Sequence, residues 1–247
     1  MRTVIKNLLK EKEQHHGVRI LYACESGSRA WGFPSADSDY DIRFIYLRER
    51  EAYLSVGEVP DQIGDPPAGD LDLCGWDLRK ALRLLLRSNV TPFEWIQSPV
   101  VYAADDVFVE AFRRLLPHYF SPRAQARHYL GIVVTQFCDM KGEAIRIKKL
   151  CYVLRSLLSA DWILSRNEHA PMEMHTLMAL LPEDIRDEVS ALIAAKAYGT
   201  EKDTTVLSAT LNDFITRRLA WATERAATWP SDSFCHKDLD AFFQAFV

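Results

Sequence analysis

Long apolar runs, clustered cysteines and an excess of one charge are all missing from this 247-residue chain. No uninterrupted apolar stretch reaches the length that spans a bilayer. Residues 1–16 have no apolar centre of signal-peptide size, so the expected location is the cytoplasm. The five cysteines, at positions 24, 74, 138, 151 and 235, are scattered and odd in number. That pattern fits neither a zinc finger nor a closed disulfide framework, and reduced thiols are expected. The seven histidines include no pair four apart, which removes the helical zinc motif. A net charge of −4 is not that of a protein that coats nucleic acid by bulk charge, although a local basic groove remains compatible with it. There is no internal repeat and no low-complexity tract.

What is present reads as globular: 48% hydrophobic and 26% charged residues, enough to build one large domain or two modest ones. The spacing predicts an amphipathic helix over 2–15, with Val4, Ile5, Leu8 and Leu9 on one side, ended by Gly17. An apolar strand over 18–24 follows, then a loop over 25–38. A second strand over 40–47 carries Tyr40, Ile42, Phe44 and Tyr46 on one face. Residues 51–69, rich in proline and glycine, are expected to be an irregular surface excursion. A third strand over 70–76 leads into a helix capped by Asp77 and running to Ser88, with leucines inward and Arg79, Arg83 and Arg87 outward. Thr91-Pro92-Phe93-Glu94 reads as a capping box with proline at the first helical position. From residue 107 onward the apolar period is helical, over 123–140, 143–166, 172–181, 183–198, 203–228 and 237–246. The expected fold class is therefore α+β: a mixed sheet with helices over 1–110, followed by an all-helical domain over 111–247.

The chemistry concentrates in Cys24-Glu25-Ser26-Gly27-Ser28-Arg29-Ala30-Trp31-Gly32 and Asp39-Tyr40-Asp41. A Gly-Ser pair after an apolar strand leaves backbone N–H groups to meet phosphate oxygens, and the Ser28 hydroxyl adds another donor. Gly27 permits close approach of a bulky anion. Asp39 and Asp41, two apart at a strand start, project from one face and repel each other unless a cation lies between them. Oxygen-only ligands suit Mg²⁺ or Mn²⁺. A two-metal site needs a further carboxylate, and the third strand offers Asp72, with Asp70 as the fallback. Arg29 beside the turn either neutralises phosphate or covers an apolar neighbour. Arg43 shares the aspartate face and is expected to pair with a carboxylate. Trp31 and Trp76 flank the motif, as base-stacking platforms or as core. Lys148, Lys149 and Arg155 form a basic helix face, either solvated or facing phosphates.

These residues resemble the polymerase-β-like nucleotidyltransferase superfamily: Gly27, Ser28, Ala30 and Gly32, then Asp39 and Asp41, then Asp72. The strings SGSRAWGFPSADSDYDIRFIY, GWDLRKALRLLLRSN and KKLCYVLRSLLSADWI are similar to those of the bacterial predicted nucleotidyltransferases linked to RNA repair, over roughly residues 18–165. The resemblance implies a nucleoside triphosphate and Mg²⁺ as ligands. It assigns Asp39, Asp41 and Asp72 to metal and catalysis, and Gly27, Ser28, Arg29, Lys148 and Lys149 to the nucleotide. The implied active site is a cleft between the two domains, and the implied reaction moves a nucleoside monophosphate onto an acceptor hydroxyl, an RNA 3′ end first, with release of pyrophosphate. The rival expectation is an antitoxin-like module of the same fold that binds or AMPylates a helical toxin partner.

Overall fold

A computed structural model describes residues 1–64, 69–138, 140 and 144–247. The chain forms two compact units. The first comprises residues 1–30, 39–119 and 233–247, and the second comprises 31–38 and 120–232. Neither is one continuous stretch. Residue 110 falls inside a helix of the first unit, so the change from one unit to the other comes after Tyr119, and the chain crosses between units four times.

In chain order the first unit begins with α1 (Arg2–His16), β1 (Val18–Ser26), α2 (Gly27–Ala30), β2 (Tyr40–Arg48), α3 (Arg50–Tyr53), β3 (Gln62–Gly64) and β4 (Leu71–Asp77). It continues with α4 (Leu78–Leu85), α5 (Val90–Trp95), β5 (Val101–Ala104) and α6 (Asp106–Leu115). The five strands make one mixed sheet in the order β3-β4-β2-β1-β5. Only β2 and β4 run parallel. The connection between them carries α3 and β3 rather than the usual single crossover helix.

Alternation sorts the sheet into two faces. Ile42, Phe44 and Tyr46 of β2 join Ile5 and Leu9 of α1, Ala23, Leu73 and Tyr102 in one buried core. A bulge in β1 between Ile20 and Tyr22 keeps both Ile20 and Ala23 on that core side. Gly75 belongs to the same packing, because a Cβ there would lie 2.1 Å from the ring of Phe44. The opposite face carries Asp41 and Arg43 of β2 beside Asp72 and Cys74 of β4, in register.

Several sequence expectations need correction. The stretch after residue 51 is not wholly irregular: β3 adds to the edge of β4, with Ile63 buried and its neighbours exposed. Residues 65–68 of that stretch lie outside the described residues. β5 was not expected, and it covers the other edge by pairing with β1. The cap of α5 is Asn89, whose side chain accepts from the Thr91 N–H at 2.9 Å, so the helix starts two residues before the anticipated box. Asp77 does cap α4, accepting from the Arg79 N–H at 2.8 Å.

The second unit is helical: α7 (Pro122–Cys138), α8 (Ile147–Arg166), α9 (Met174–Leu177), α10 (Glu183–Tyr198) and α11 (Ala209–Thr228). A minimal ladder joins β6 (Ile145–Arg146) to β7 (Thr204–Thr205), where helix was expected. The expected helix over 172–181 is α9 followed by a tighter 3₁₀ turn over Met178–Leu180. Helix α8 is its core, buried from Leu150 to Leu164 on most positions, and Asp161 within it pairs with Arg218 of α11. The segment 31–38 is anchored here: the buried Lys196 amine donates to the Phe33 carbonyl at 2.9 Å. The last helix, α12 (Lys237–Phe246), returns to the first unit and packs Phe242 and Phe246 against Phe108, and Phe243 against Tyr53. Among the described residues no helix is long and apolar enough to cross a membrane.

Candidate functional site

β1 delivers the chain into a tight turn. Gly27 stands at φ +59°, and a Cβ on it would come 1.9 Å from Oδ2 of Asp41. Only glycine satisfies both demands, a left-handed backbone and contact with a carboxylate. Ser28 follows, with only 3% of its surface exposed. The Gly-Ser turn and the first acid strand are thus pressed together, as the motif spacing required.

The acids come from two parallel strands in matched register, Asp41 of β2 opposite Asp72 of β4. Arg43, one pleat further along β2, folds back between them. Its Nη2 donates to Asp41 Oδ1 at 2.8 Å and to Asp72 Oδ2 at 2.6 Å. Its Nη1 donates to the backbone carbonyls of Ile42 and Asp72 at 3.1 and 3.0 Å. Burial pushes the Asp41 carboxyl above its ordinary value; Arg43 opposes this, while Asp72 and Asp39 reinforce it. Burial alone would lower the Arg43 guanidinium, but the hydrogen bond and charges of Asp72 and Asp41 outweigh it and hold Arg43 above its usual value.

Behind Asp41 lies a support that the motif did not reveal. Glu25, 1% exposed, accepts the Asp41 backbone N–H at 2.7 Å and the hydroxyl of Tyr102 on its other oxygen. Ser98 donates to the Glu25 carbonyl at 2.6 Å. Burial raises the Glu25 carboxyl, partly offset by the Tyr102 hydroxyl and the Asp41 N–H. The one hint in the sequence is an acid ending an otherwise apolar strand; its partner Tyr102 lies 77 positions away on a strand not foreseen.

The remaining predicted residues divide. Arg29 lies over the ring of Tyr40, 3.8 Å from its centroid, and donates to the Asp39 carbonyl at 3.1 Å. Asp39 is exposed just before β2. Asp70 is exposed in the turn before β4, its carbonyl accepting from the Tyr40 N–H at 2.7 Å. The pairing with Asp41 therefore falls to Asp72. Lys148 and Lys149 belong to α8 of the second unit, where Lys148 pairs with Glu201 at 2.6 Å. Arg155 is buried in that unit, clamping the Met172 carbonyl and lying over Trp31, so it is a packing residue. Trp31 itself packs against Phe33 and Tyr152.

The profile of the RNA repair pathway DNA polymerase beta family matches residues 1–245. The chain belongs to that family. A relative within reach is the uncharacterized protein YcgL of Bacillus subtilis (strain 168), 40% identical over 218 residues, covering 87% of this chain and 84% of its own length. Among solved structures, a nucleotidyltransferase-like protein from Exiguobacterium sibiricum 255-15 aligns over 91% of this chain and 75% of its own, at 10% identity and a TM-score of 0.35.

Membership of the polymerase-β family makes a divalent metal the group to test against these residues. Among the described residues no three His, Cys, Asp or Glu side chains are arranged to hold an ion. Two carboxylates nevertheless converge on a single cationic nitrogen at 2.6–2.8 Å, with oxygen donors only. That donor chemistry fits a hard dication, provided Arg43 turns away.

On the same face an open cavity of about 850 Å³ adjoins the pair, sharing Arg43 and Asp72 and reaching Trp76 and Trp95. Those two indoles pack with ring centroids 4.2 Å apart.

Proposed function

We propose that this family member transfers a nucleoside monophosphate from a nucleoside triphosphate to an acceptor hydroxyl, with an RNA 3′ end as the acceptor. The observation that carries the reading is the register of Asp41 and Asp72 around one cation position, with the Gly27–Ser28 turn packed against Asp41. Repulsion between adjacent carboxylates is relieved here by a guanidinium, and the same relief is available from a metal.

In this reading Asp41 and Asp72 would hold Mg²⁺ or Mn²⁺, with Asp39 turning in from its exposed position before β2 to complete the set, and the metal would supply positive charge to the triphosphate and acidity to the acceptor hydroxyl. The chain's own residues do the rest. The Gly27 and Ser28 N–H groups and the Ser28 hydroxyl hold the β- and γ-phosphates. Asp72 orients the acceptor hydroxyl and takes its proton. The acceptor oxygen bonds to the α-phosphorus as the bond to the β-phosphate oxygen breaks, and pyrophosphate leaves. Glu25, through its bond to the Asp41 N–H, fixes the strand position of that acid.

The test is transfer of α-³²P label from each of the four ribonucleoside triphosphates to an RNA with a free 3′ hydroxyl, with Mg²⁺ or Mn²⁺. Wild type is run beside Asp41→Asn and Asp72→Asn. Label on RNA that disappears in both variants supports the reading. Label that persists in either variant rejects the site, and label found only on an added protein acceptor rejects the RNA 3′ end.

A further inference from the structure

We propose that the cavity beside Asp72 seats the acceptor, and that what it accepts is a terminal ribonucleoside whose base lies on Trp76. The inference rests on the nucleotidyl-transfer reading above and adds where its acceptor is held.

The strand order carries the first part of the argument. Across the sheet the sequence β1-β2-β4-β3 puts the Gly27 turn at the end of β1, the two acids on β2 and β4, and Gln62 and Gly64 of β3 beyond them. The cavity shares Asp72 with the acid pair and continues over β4 to β3. The cavity also reaches Ser26, next to Gly27, so the acids stand between its end at the phosphate turn and its end at Trp76. An in-line displacement needs that order, with the leaving group on one side of the phosphorus and the attacking oxygen on the other.

The lining carries the second part. Among the described lining residues Arg43 is the one that is basic, and it is already bonded to both acids, while Lys80, 5.9 Å from the Trp76 ring centroid, is already bonded to Asp61 and Gln62. A second polyphosphate would therefore meet a wall that offers Asp72 and Glu94 rather than cations. What the wall does offer is aromatic and neutral: Trp76, backed by Trp95 with a 34° tilt between the rings, with Gln62 and Thr91 nearby. An indole face takes a base by stacking, and amide, hydroxyl and carboxylate groups take ribose hydroxyls or base amines.

Size and reach carry the third. Asp72, Cys74 and Trp76 are alternate residues of β4 on one face. At about 3.3 Å per residue, Asp72 and Trp76 are roughly 13 Å apart along the strand. The carboxylate and the indole thus belong to two ends of one wall, a hydroxyl end and a base end. The volume of about 850 Å³ would be left mostly empty by a single serine or tyrosine hydroxyl. It lies in the range that encloses a drug-sized molecule.

The test is direct binding, separate from catalysis. A 5′-fluorescein-labelled adenosine trinucleotide with a free 3′ hydroxyl is titrated with the full chain, without triphosphate or metal, and followed by anisotropy. Trp76→Ala is expected to weaken binding about tenfold and Trp76→Phe by less than about threefold, within the range of one base stacking on one aromatic ring. Manganese binding, read by electron paramagnetic resonance, is expected to be equal in all three proteins, which also reports that the acid pair remains folded. Equal trinucleotide binding by wild type and Trp76→Ala, no binding by wild type, or displacement by a serine hexapeptide would each overturn the proposal. If binding depends on Trp76 but no triphosphate is ever used, the seat stands and nucleotidyl transfer fails. If transfer is lost in Asp41→Asn while Trp76→Ala binds normally, transfer stands and the seat fails.

Discussion

Arg43 Nη2 stands 2.6 Å from Asp72 Oδ2, and the same nitrogen reaches Asp41. A cation of the chain's own thus sits where the proposed reaction would place a metal, and on that proposal the two compete. Arg43→Ala is expected to bind Mn²⁺ about tenfold more tightly than wild type when no nucleotide is present, the worth of roughly one charge-assisted hydrogen bond. Isothermal titration calorimetry checks this; equal or weaker binding by the variant would show that Arg43 supports the metal site instead of contesting it.

Gly27 has no tolerance for a side chain. Gly27→Ala combines a left-handed backbone, costing about 1–2 kcal/mol for any L-residue, with a methyl group 1.9 Å from Asp41 Oδ2. The variant is expected to lose at least that stability in urea denaturation and to lose Mn²⁺ binding as Asp41 is displaced. Wild-type manganese affinity in a folded variant would contradict the close approach of turn and acid.

Asp77 gives a pH signature. Burial outweighs the donors Tyr53 and the Arg79 N–H, and the Arg48 charge, and holds its carboxyl above the ordinary 3.8. A raised folded-state pKa means that the native chain binds the proton more tightly than the unfolded one. Its contribution is fully present below 3.8 and is lost as pH rises through the raised value. Asp77→Asn keeps a capping oxygen but does not titrate. The stability of wild type relative to this variant should therefore fall with rising pH over that window in urea melts, and a widening advantage would reverse the sign.

Lys196 is a buried amine whose pKa is lowered by burial, and its bonds to the Phe33 carbonyl and the Ser35 hydroxyl hold segment 31–38 in the second unit. Lys196→Met preserves volume but leaves that carbonyl unpaired, an expected cost of about 1–3 kcal/mol. Limited proteolysis should cut within 31–38 faster in the variant. An unchanged cleavage rate would mean that the segment is held by other contacts.

Much of this was legible in the residues. Alternating Tyr40, Ile42, Phe44 and Tyr46 marked β2 and its inward face, and the Gly-Ser and Asp-x-Asp spacing marked the turn and Asp41, whereas Asp39 lies exposed outside the pair that Asp41 makes with Asp72. Arg43 was expected to pair with a carboxylate, but that it would join two required the parallel register of β2 with β4, and β2 and β4 are separated by 22 residues in sequence. The edge strands β3 and β5 are three and four residues long, too short for a period of two to stand out. Glu25 showed only as an acid at the end of an apolar strand, since its meaning lies in a hydroxyl on β5.

The return of α12 to the first unit, after all of the second, has a consequence for synthesis. As the chain leaves the ribosome, the sheet and its acids emerge early, yet Phe108 and Tyr53 wait for partners at Phe242, Phe246 and Phe243. The sheet-bearing unit is begun first and closed last, and a protein stalled before residue 237 would carry the acids with an uncovered aromatic patch.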